Sequence, residues 1–229
     1  DEFAVQSYRK AIDAQARGSF NEEIVPVAIT QKSGESLPVQ EDEEPKKVKF
    51  EKIATLKPAF RKDGTVTAAN ASKINDGAAA VVVMSGEKAK LLGITPLARI
   101  CAYGSVAKKP EWFTTAPADV VPKILKKAGL MIDAIDLFEI NEAFAVVNLA
   151  VNKTLGLNMD RMNVNGGAVA LGHPIGASGA RILVTLLHAM KQRNARKGLA
   201  AICIVLRSGL TSVSVTGAAR KARGDAFDT

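Results

Sequence analysis

The stretch NVNGGAVALGHPIGASG (residues 163–179) decides the fold class, because a glycine-rich loop here opens a long helix predicted at about 177–194. Glycines let the backbone turn tightly and approach a ligand, and the first turn of a helix offers unpaired N–H groups. The loop has neither the Gly-Lys-Ser/Thr of a P-loop nor the G-x-G-x-x-G spacing of a dinucleotide site. It therefore predicts a ligand site of another kind at the start of this helix.

Strands and helices alternate on both sides of this loop. Further helices are predicted at 1–17, 87–92, 118–128 and 142–155, and strands at 24–30, 78–84, 97–103, 137–140 and 199–204. The small and apolar residues of 78–84 are typical of a buried strand. Residues 31–49 are polar and predict an exposed excursion. This alternation predicts an α/β layered fold in which helices cover a mostly buried sheet.

The composition is that of an ordinary globular protein, with 47% hydrophobic and 24% charged residues among 229. No apolar run approaches the ~20 residues of a membrane-spanning helix. Cys101 and Cys203 are too few for a disulfide framework, and neither they nor the two histidines have zinc-site spacing, so no metal is expected. The net charge of +8 is dispersed and accompanies no nucleic-acid motif, which favours a basic surface or an anionic small ligand.

Asn141-Glu142-Ala143-Phe144 follows a predicted strand, at the edge where α/β sheets bind ligands. Asn141 has two interpretations from this position. It can cap the next helix, which is the commoner role of asparagine there, or it can present its amide to a ligand.

Two further residues are candidates for chemistry. His173 lies between Gly172 and Pro174, which suits hydrogen bonding or proton transfer, because an ordinary pKa near ~6.5 permits either. Cys203 ends an apolar strand and by itself indicates only a small buried side chain. His188 lies in an apolar helical stretch, where packing is the better interpretation.

Together these segments resemble the thiolase family. Asn-Glu-Ala-Phe (141–144), Gly-His-Pro-Ile-Gly-Ala-Ser-Gly-Ala-Arg (172–181) and a strand ending in Cys203-Ile204 occur in the order and at the separations found in thiolases. The resemblance covers Asp1 to about Ile204, including EIVPV, LKPAF, GTVTAANAS, INDGAAA and PLARI. It is greatest to the acetyl-CoA acetyltransferases, which reversibly condense two acetyl-CoA into acetoacetyl-CoA and coenzyme A.

The resemblance implies roles for individual residues. Cys203 matches the cysteine that moves a proton at the α-carbon of acetyl-CoA. His173 matches the histidine that assists the nucleophilic cysteine and donates to the thioester oxygen, and Asn141 matches the asparagine that positions a water beside it. The substrate, a coenzyme A thioester, is expected to meet Ser72, Ala68, Phe60 and Phe144, and its phosphates to lie near Lys46–Lys49 unless those lysines are merely solvated. No cofactor is implied.

The family resemblance also implies a layered αβαβα fold. Residues 1–70 would be the remainder of a loop domain and 71–96 the last strand and helix of the N-terminal domain. Residues 97–205 would form the C-terminal domain, followed by an atypical tail at 206–229. A homodimer or homotetramer is implied, with no nucleic-acid or membrane partner.

The sequence departs from the family in two places. The nucleophilic cysteine belongs to an N-terminal half that this chain lacks, and Cys101, interpreted as a packed thiol, cannot replace it, so the chain alone is expected to be inactive. Val205 replaces a glycine that serves an oxyanion hole, and the abrupt change after it suggests a frameshift or altered terminus.

Two alternatives to a short-chain acetyltransferase stay open. One is a degradative 3-ketoacyl-CoA thiolase of fatty-acid β-oxidation. The other is a catalytically dead subunit that binds coenzyme A or assists assembly. A cytoplasmic location is the default expectation, with mitochondrion and peroxisome also open.

Overall fold

The structure is a computed structural model that describes residues 1–203 and the backbone of 213–216. The helices are α1 (Glu2–Ala16), α2 (Glu44–Lys47), α3 (Phe50–Ile53), α4 (Gly86–Leu91), α5 (Ala116–Ala128), α6 (Ala145–Leu155), α7 (Ala168–Leu171) and α8 (Ser178–Gln192). The strands are β1 (Val27–Thr30), β2 (Ser36–Val39), β3 (Ala102–Ser105), β4 (Leu137–Ile140), β5 (Gly198–Ala201) and β6 (Val213–Thr216). Short 3-10 turns occupy Pro110–Thr115, Ile132–Ala134 and Met159–Arg161.

The parallel pair β4–β5 forms the centre of the fold, with Leu137 opposite Gly198 and Ile140 opposite Ala201. The pairs β1–β2 and β3–β6 are antiparallel. A parallel pair needs a long crossover, and α6, α7 and α8 lie in the crossover from β4 to β5. Because all four positions of both strands are buried, their sequences LFEI and GLAA lack polar–apolar alternation.

Helices cover both faces of this central pair. Phe138, Ile140 and Leu199 pack on one face against α5 and α6, with Val121 and Val151 among their contacts. On the other face, residues of β4 and β5 pack against α8 in a cluster of Leu137, Ala200, Ile202, Ile182 and Leu186. Each fully buried aliphatic side chain contributes about 1.5–3 kcal/mol relative to exposure. These layers confirm the predicted α/β layered fold.

Helix α1 packs against α7 and thereby closes over the glycine-rich loop. Small residues make this close approach possible, because Ala4 and Ala11 of α1 and Ala170 of α7 are all fully buried. Tyr8 and Phe20 complete this cluster. The N-terminal helix, remote in sequence, therefore forms one wall of the region that carries His173.

The stretch 78–84 differs from its prediction as a buried strand. It has no strand pairing, and Val82 and Val83 are 85% and 70% exposed. The residues are apolar enough for a sheet interior, but within residues 1–203 and 213–216 no other strand lies beside them. The prediction is wrong here because burial needs a neighbour as well as a suitable sequence.

Two other expectations need correction. Helix α6 begins at Ala145, since Phe144 is extended (φ −145°, ψ 151°) and bridges to Ala71, so Asn141 is not the cap of that helix. Cys101 is exposed rather than packed. No helix among the described residues is long and apolar enough to cross a membrane.

Candidate active site

The site begins where β4 ends. The backbone N–H of Asn141 donates to the carbonyl of Ala201 (2.9 Å), which continues the β4–β5 pairing by one residue. The Asn141 side chain is 1% exposed, and its Nδ2 lies 3.2 Å from Nε2 of His173. Its Oδ1 is buried and has no hydrogen-bond partner among the described residues. The Asn141 amide therefore contacts His173 through its nitrogen, and its oxygen stays available to accept a hydrogen bond.

Glu142 is the hub that holds the glycine-rich loop in place. Its buried carboxylate accepts hydrogen bonds from the Ser7 hydroxyl (2.7 Å), from Asn163 Nδ2 (2.8 Å) and from the Val169 N–H (3.1 Å). These donors come from α1, from the loop and from α7. Three donors on one carboxylate satisfy a buried group that would otherwise be costly to desolvate.

Asn163 links the same loop directly to β4. Its Oδ1 accepts from the Ile140 N–H and its Nδ2 donates to the Ile140 carbonyl, both at 2.8 Å. A Cβ at Gly167 would overlap the Glu142 carboxylate, so only glycine fits beside this hub. The loop is therefore fixed by hydrogen bonds and by close backbone approach rather than by apolar packing alone.

The backbone conformation of Gly172 positions His173 in the site. Its φ of +104° is disfavoured for residues with a Cβ, and a Cβ there would lie 2.6 Å from the Asn75 side chain. The backbone N–H of His173 donates to the Lys73 carbonyl (2.8 Å), and the ring Nδ1 lies 2.6 Å from Oγ of Ser178. The imidazole is therefore held from the backbone and through both ring nitrogens.

Cys203 lies just beyond the end of β5 and is 5% exposed. It packs with Ala143 and Val147, with Phe113 and Phe144 beside them. Cys203 therefore contacts the segment that directly follows Asn141. Burial raises the pKa of the Cys203 thiol to about 11, so the thiol is protonated at neutral pH.

The pKa of His173 is shifted in the opposite direction to that of Cys203. Burial, followed by the positive charge of Arg181, lowers the pKa of its imidazole, which favours the neutral form. A neutral histidine can accept a proton.

The residues expected to meet the substrate converge on Phe144. The N–H of Ser72 donates to the Ala143 carbonyl (3.1 Å), and the N–H of Ala145 donates to the Asn70 carbonyl (2.8 Å). The rings of Phe60 and Phe144 meet edge to face with centroids 6.1 Å apart. Phe60, Ser72 and Phe144 thus lie in one place although they are far apart in sequence.

Ala68 lines a neighbouring cavity of about 240 Å³. The cavity has an apolar side that includes Tyr8 and Ile53, and its cationic lining is Lys47, Lys49, Lys52 and Lys73. Lys47 also pairs with Glu43 (2.8 Å) and Glu44 (3.1 Å). An apolar pocket with several ammonium groups suits an anionic organic ligand.

Glu142 and Ser178 have no role predicted from the sequence, although Glu142 lies in Asn-Glu-Ala-Phe (141–144) and Ser178 in the glycine-rich loop. The signal for Glu142 was an acid next to a buried strand, and for Ser178 a hydroxyl five positions after the histidine. His188 is half-buried and lies 3.9 Å from Glu22. Among the residues that the structure describes, no group of His, Cys, Asp and Glu could hold a metal ion. Val205 and most of the tail at 206–229 lie outside the described residues.

Comparison with known families gives the class of protein. Residues 1–87 match the sequence model described as "Thiolase, N-terminal domain" and residues 94–215 match "Thiolase, C-terminal domain". The chain belongs to the thiolase family. The match extends to residue 215, beyond the limit near Ile204 seen in the sequence.

Among curated relatives, the chain is similar in sequence to acetyl-CoA acetyltransferases. The chain is 58% identical over 203 residues to a probable acetyl-CoA acetyltransferase of Dictyostelium discoideum, covering 89% of the chain and 49% of the relative. It is 53% identical over 205 residues to the acetyl-CoA acetyltransferase of Pseudomonas aeruginosa, covering 89% and 52%. The chain thus spans about half the length of the curated relatives it matches.

Solved structures agree on the fold. The acetyl-CoA acetyltransferase of Bacillus anthracis superposes with a TM-score of 0.89 at 45% identity, over 95% of this chain and 55% of that one. Human mitochondrial 3-ketoacyl-CoA thiolase gives 0.86 at 39% identity, over 96% and 55%. A thiolase from Ascaris suum in complex with coenzyme A gives 0.82 at 43% identity, over 96% and 55%. The chain has the thiolase fold.

Proposed function

We propose that this chain supplies the Asn141–His173–Cys203 part of the active site of an acetyl-CoA acetyltransferase, which reversibly condenses two acetyl-CoA into acetoacetyl-CoA and coenzyme A. The observation that carries the proposal is the 3.2 Å approach of Asn141 to His173, with Cys203 packed against the segment after Asn141. The names of the curated relatives, at 50–58% identity, support the acetyl group as substrate.

The proposed reaction begins with a cysteine nucleophile, which we assign to the half of the thiolases that this chain does not match. Its thiol attacks the thioester carbonyl, and His173 accepts the thiol proton at Nε2. The acetyl group passes to sulfur and coenzyme A leaves with a proton returned from the imidazolium. Asn141 Oδ1, buried without a described protein partner, would accept a hydrogen bond from a water that in turn donates to the thioester oxygen.

Cys203 acts at the α-carbon of the second acetyl-CoA. In condensation the Cys203 thiol first loses its proton to solvent, and the thiolate then removes the proton from the α-carbon. The carbanion attacks the acetyl-cysteine, the sulfur–carbon bond breaks as the carbon–carbon bond forms, and the released cysteine thiolate takes up a proton from solvent. In thiolysis the same thiol returns the proton to carbon. Because burial raises the pKa of Cys203, the proton-donating form is the resting form, as thiolysis requires.

The coenzyme A arm would lie along Ser72, Ala68 and Phe60, with Phe144 toward the acyl group. Its phosphates would meet the lysines of the 240 Å³ cavity, of which Lys49, Lys52 and Lys73 form no ion pair with the described residues. The Ascaris suum complex with coenzyme A supports this class of ligand. A homodimer or homotetramer and a cytoplasmic location stay predictions.

Acetoacetyl-CoA thiolysis tests the proposal. The chain would be assayed alone and together with a polypeptide equivalent to the half of the relatives that it does not match. We expect turnover only in the mixture, and its loss with Cys203→Ala. Cys101→Ala is the matched control, because Cys101 is exposed, and it should keep the activity.

Two outcomes would redirect the assignment. Faster turnover of longer 3-ketoacyl-CoA substrates would favour a degradative thiolase, which the likeness to human mitochondrial 3-ketoacyl-CoA thiolase also permits. Binding of coenzyme A without turnover in the mixture would instead favour a binding or assembly subunit.

A further inference from the structure

Three contacts meet around the His173 ring. Nε2 lies 3.2 Å from Nδ2 of Asn141, Nδ1 lies 2.6 Å from Oγ of Ser178, and that Oγ lies 3.0 Å from the carbonyl oxygen of Pro174. Ser178 is fully buried, so water does not compete for its hydroxyl. Asn141 is buried as well.

Only one distribution of protons makes all three contacts hydrogen bonds. An amide nitrogen can donate but not accept, so Nε2 facing Asn141 must carry the lone pair. A neutral imidazole has one N–H, which is then on Nδ1 and donates to Ser178 Oγ. The single proton of the serine is thereby left for the Pro174 carbonyl. The opposite tautomer would set two N–H groups against each other at Asn141 and take the serine proton from Pro174.

We propose that Ser178 is a positioning residue that holds His173 as the Nδ1–H tautomer, with the Nε2 lone pair directed toward Asn141. Ser178 contacts no reacting atom and acts through His173 alone. The inference rests on the proposed function for its purpose, because only an unprotonated Nε2 can take a proton from a thiol. Its test does not depend on turnover.

Imidazole nitrogen-15 NMR measures the tautomer directly. The 229-residue chain has only two histidines, so two ring systems are expected in a long-range proton–nitrogen spectrum. We expect Nε2 of His173 in the pyridine-type range and Nδ1 in the pyrrole-type range at neutral pH. His188, on the far part of α8, serves as the internal reference.

Ser178→Ala should shift both His173 nitrogens toward intermediate values, since Nδ1–H loses its acceptor. Ser178→Thr keeps the hydroxyl and should restore the wild-type pattern, with His188 unchanged in both variants. A wild-type spectrum with the proton on Nε2, or no change in Ser178→Ala, would overturn the proposal. The backbone amide spectrum of the same sample reports whether the variant is folded.

Should Ser178→Ala unfold the chain, Asn141→Asp decides. A carboxylate opposite Nε2 is an acceptor only and should draw a proton onto Nε2. Retention of an unprotonated Nε2 in that variant would refute the proton assignment. Absence of thiolysis with the Nδ1–H tautomer present would sink the proposed function and leave this inference intact.

Discussion

The loop around Glu142 and the segment 74–100 differ in the surroundings of their side chains. Polar side chains are buried and hydrogen-bonded at the loop, whereas large apolar side chains are exposed in the segment. At the loop, the buried carboxylate of Glu142 and the buried amide of Asn163 find their donors and acceptors within the chain, and Nδ2 of Asn141 reaches His173. In the segment 74–100, apolar side chains face solvent, with Ile74 93%, Val82 85% and Leu91 77% exposed. The local geometry of the candidate site is thus built within this chain, whereas these three large side chains of the apolar segment stay mostly exposed.

The largest effect is expected from Gly167→Ala. The added methyl would overlap the Glu142 carboxylate and force apart α7 and the turn after β4. We expect a loss of about 3 kcal/mol in the free energy of unfolding, the upper end of over-packing costs. Urea unfolding followed through Trp112, the single tryptophan, would measure it. Gly176→Ala is the control, since its Cβ would meet nothing within 4 Å, and equal losses in both would contradict the steric account.

A smaller loss should follow Glu142→Gln. The amide keeps the shape of the carboxylate but turns donors toward Ser7, Asn163 or Val169, which are donors themselves. We expect about 2 kcal/mol of destabilisation from the broken network. The same unfolding assay applies, with the exposed Glu35→Gln as a control that should change little. Unaltered stability in Glu142→Gln would mean that the loop is not held by this carboxylate.

The pH dependence of stability should report on the buried acids of the chain. Burial, together with the nearby negative charge of Glu142, raises the pKa of Glu139 to about 8 from an ordinary 4.5. Between those values the folded chain holds a proton that the unfolded chain has released, so stability should fall as pH rises, by at most about 1.4 kcal/mol per pH unit for this group. Burial also raises the pKa of Glu23, to about 7, which adds to the same slope.

Urea midpoints at several values across this window would measure the slope. Glu139→Gln should flatten it in part and leave the contribution of Glu23. A slope that is unchanged in Glu139→Gln would show that Glu139 is ionised in the folded chain.

The smallest effect on stability should come from Val82→Lys. Because Val82 is 85% exposed, we expect a change below about 0.5 kcal/mol. Self-association, measured by light scattering, should nevertheless decrease, since exposed apolar patches favour aggregation. Val151→Ala, at a fully buried position, should instead cost about 2 kcal/mol. A large loss of stability in Val82→Lys would show that the segment is buried after all.

The sequence predicted most of the elements because their signals are local. The β4 strand and the α5 and α8 helices have apolar residues at the right period and lie within a few residues of their predicted bounds. The family resemblance, not the periodicity, pointed to Asn141, His173 and Cys203, since a cap, a loop histidine and a buried thiol are each common. Their roles stay predictions, although Asn141 and His173 do meet.

What the sequence could not predict depends on contacts between distant residues. Ser7 reaches Glu142 across 135 positions of sequence, and no local pattern announces that pairing. The predicted burial of 78–84 is wrong for a related reason. An apolar sequence makes burial possible, but it does not show whether another element lies beside the strand. The exposed Cys101 was misjudged in the same way.

The pairing of β4 with β5 has a further consequence for how such a site can change. Asn141 and Cys203 each follow the end of one of these strands, and Ile140 lies opposite Ala201. Their separation is therefore set by strand register, which changes only in whole residues of about 3.3 Å and turns a side chain to the opposite face at each single step. Insertions in the surrounding loops leave this register unchanged, whereas any shift of the register would move the two groups relative to each other by a whole residue or more.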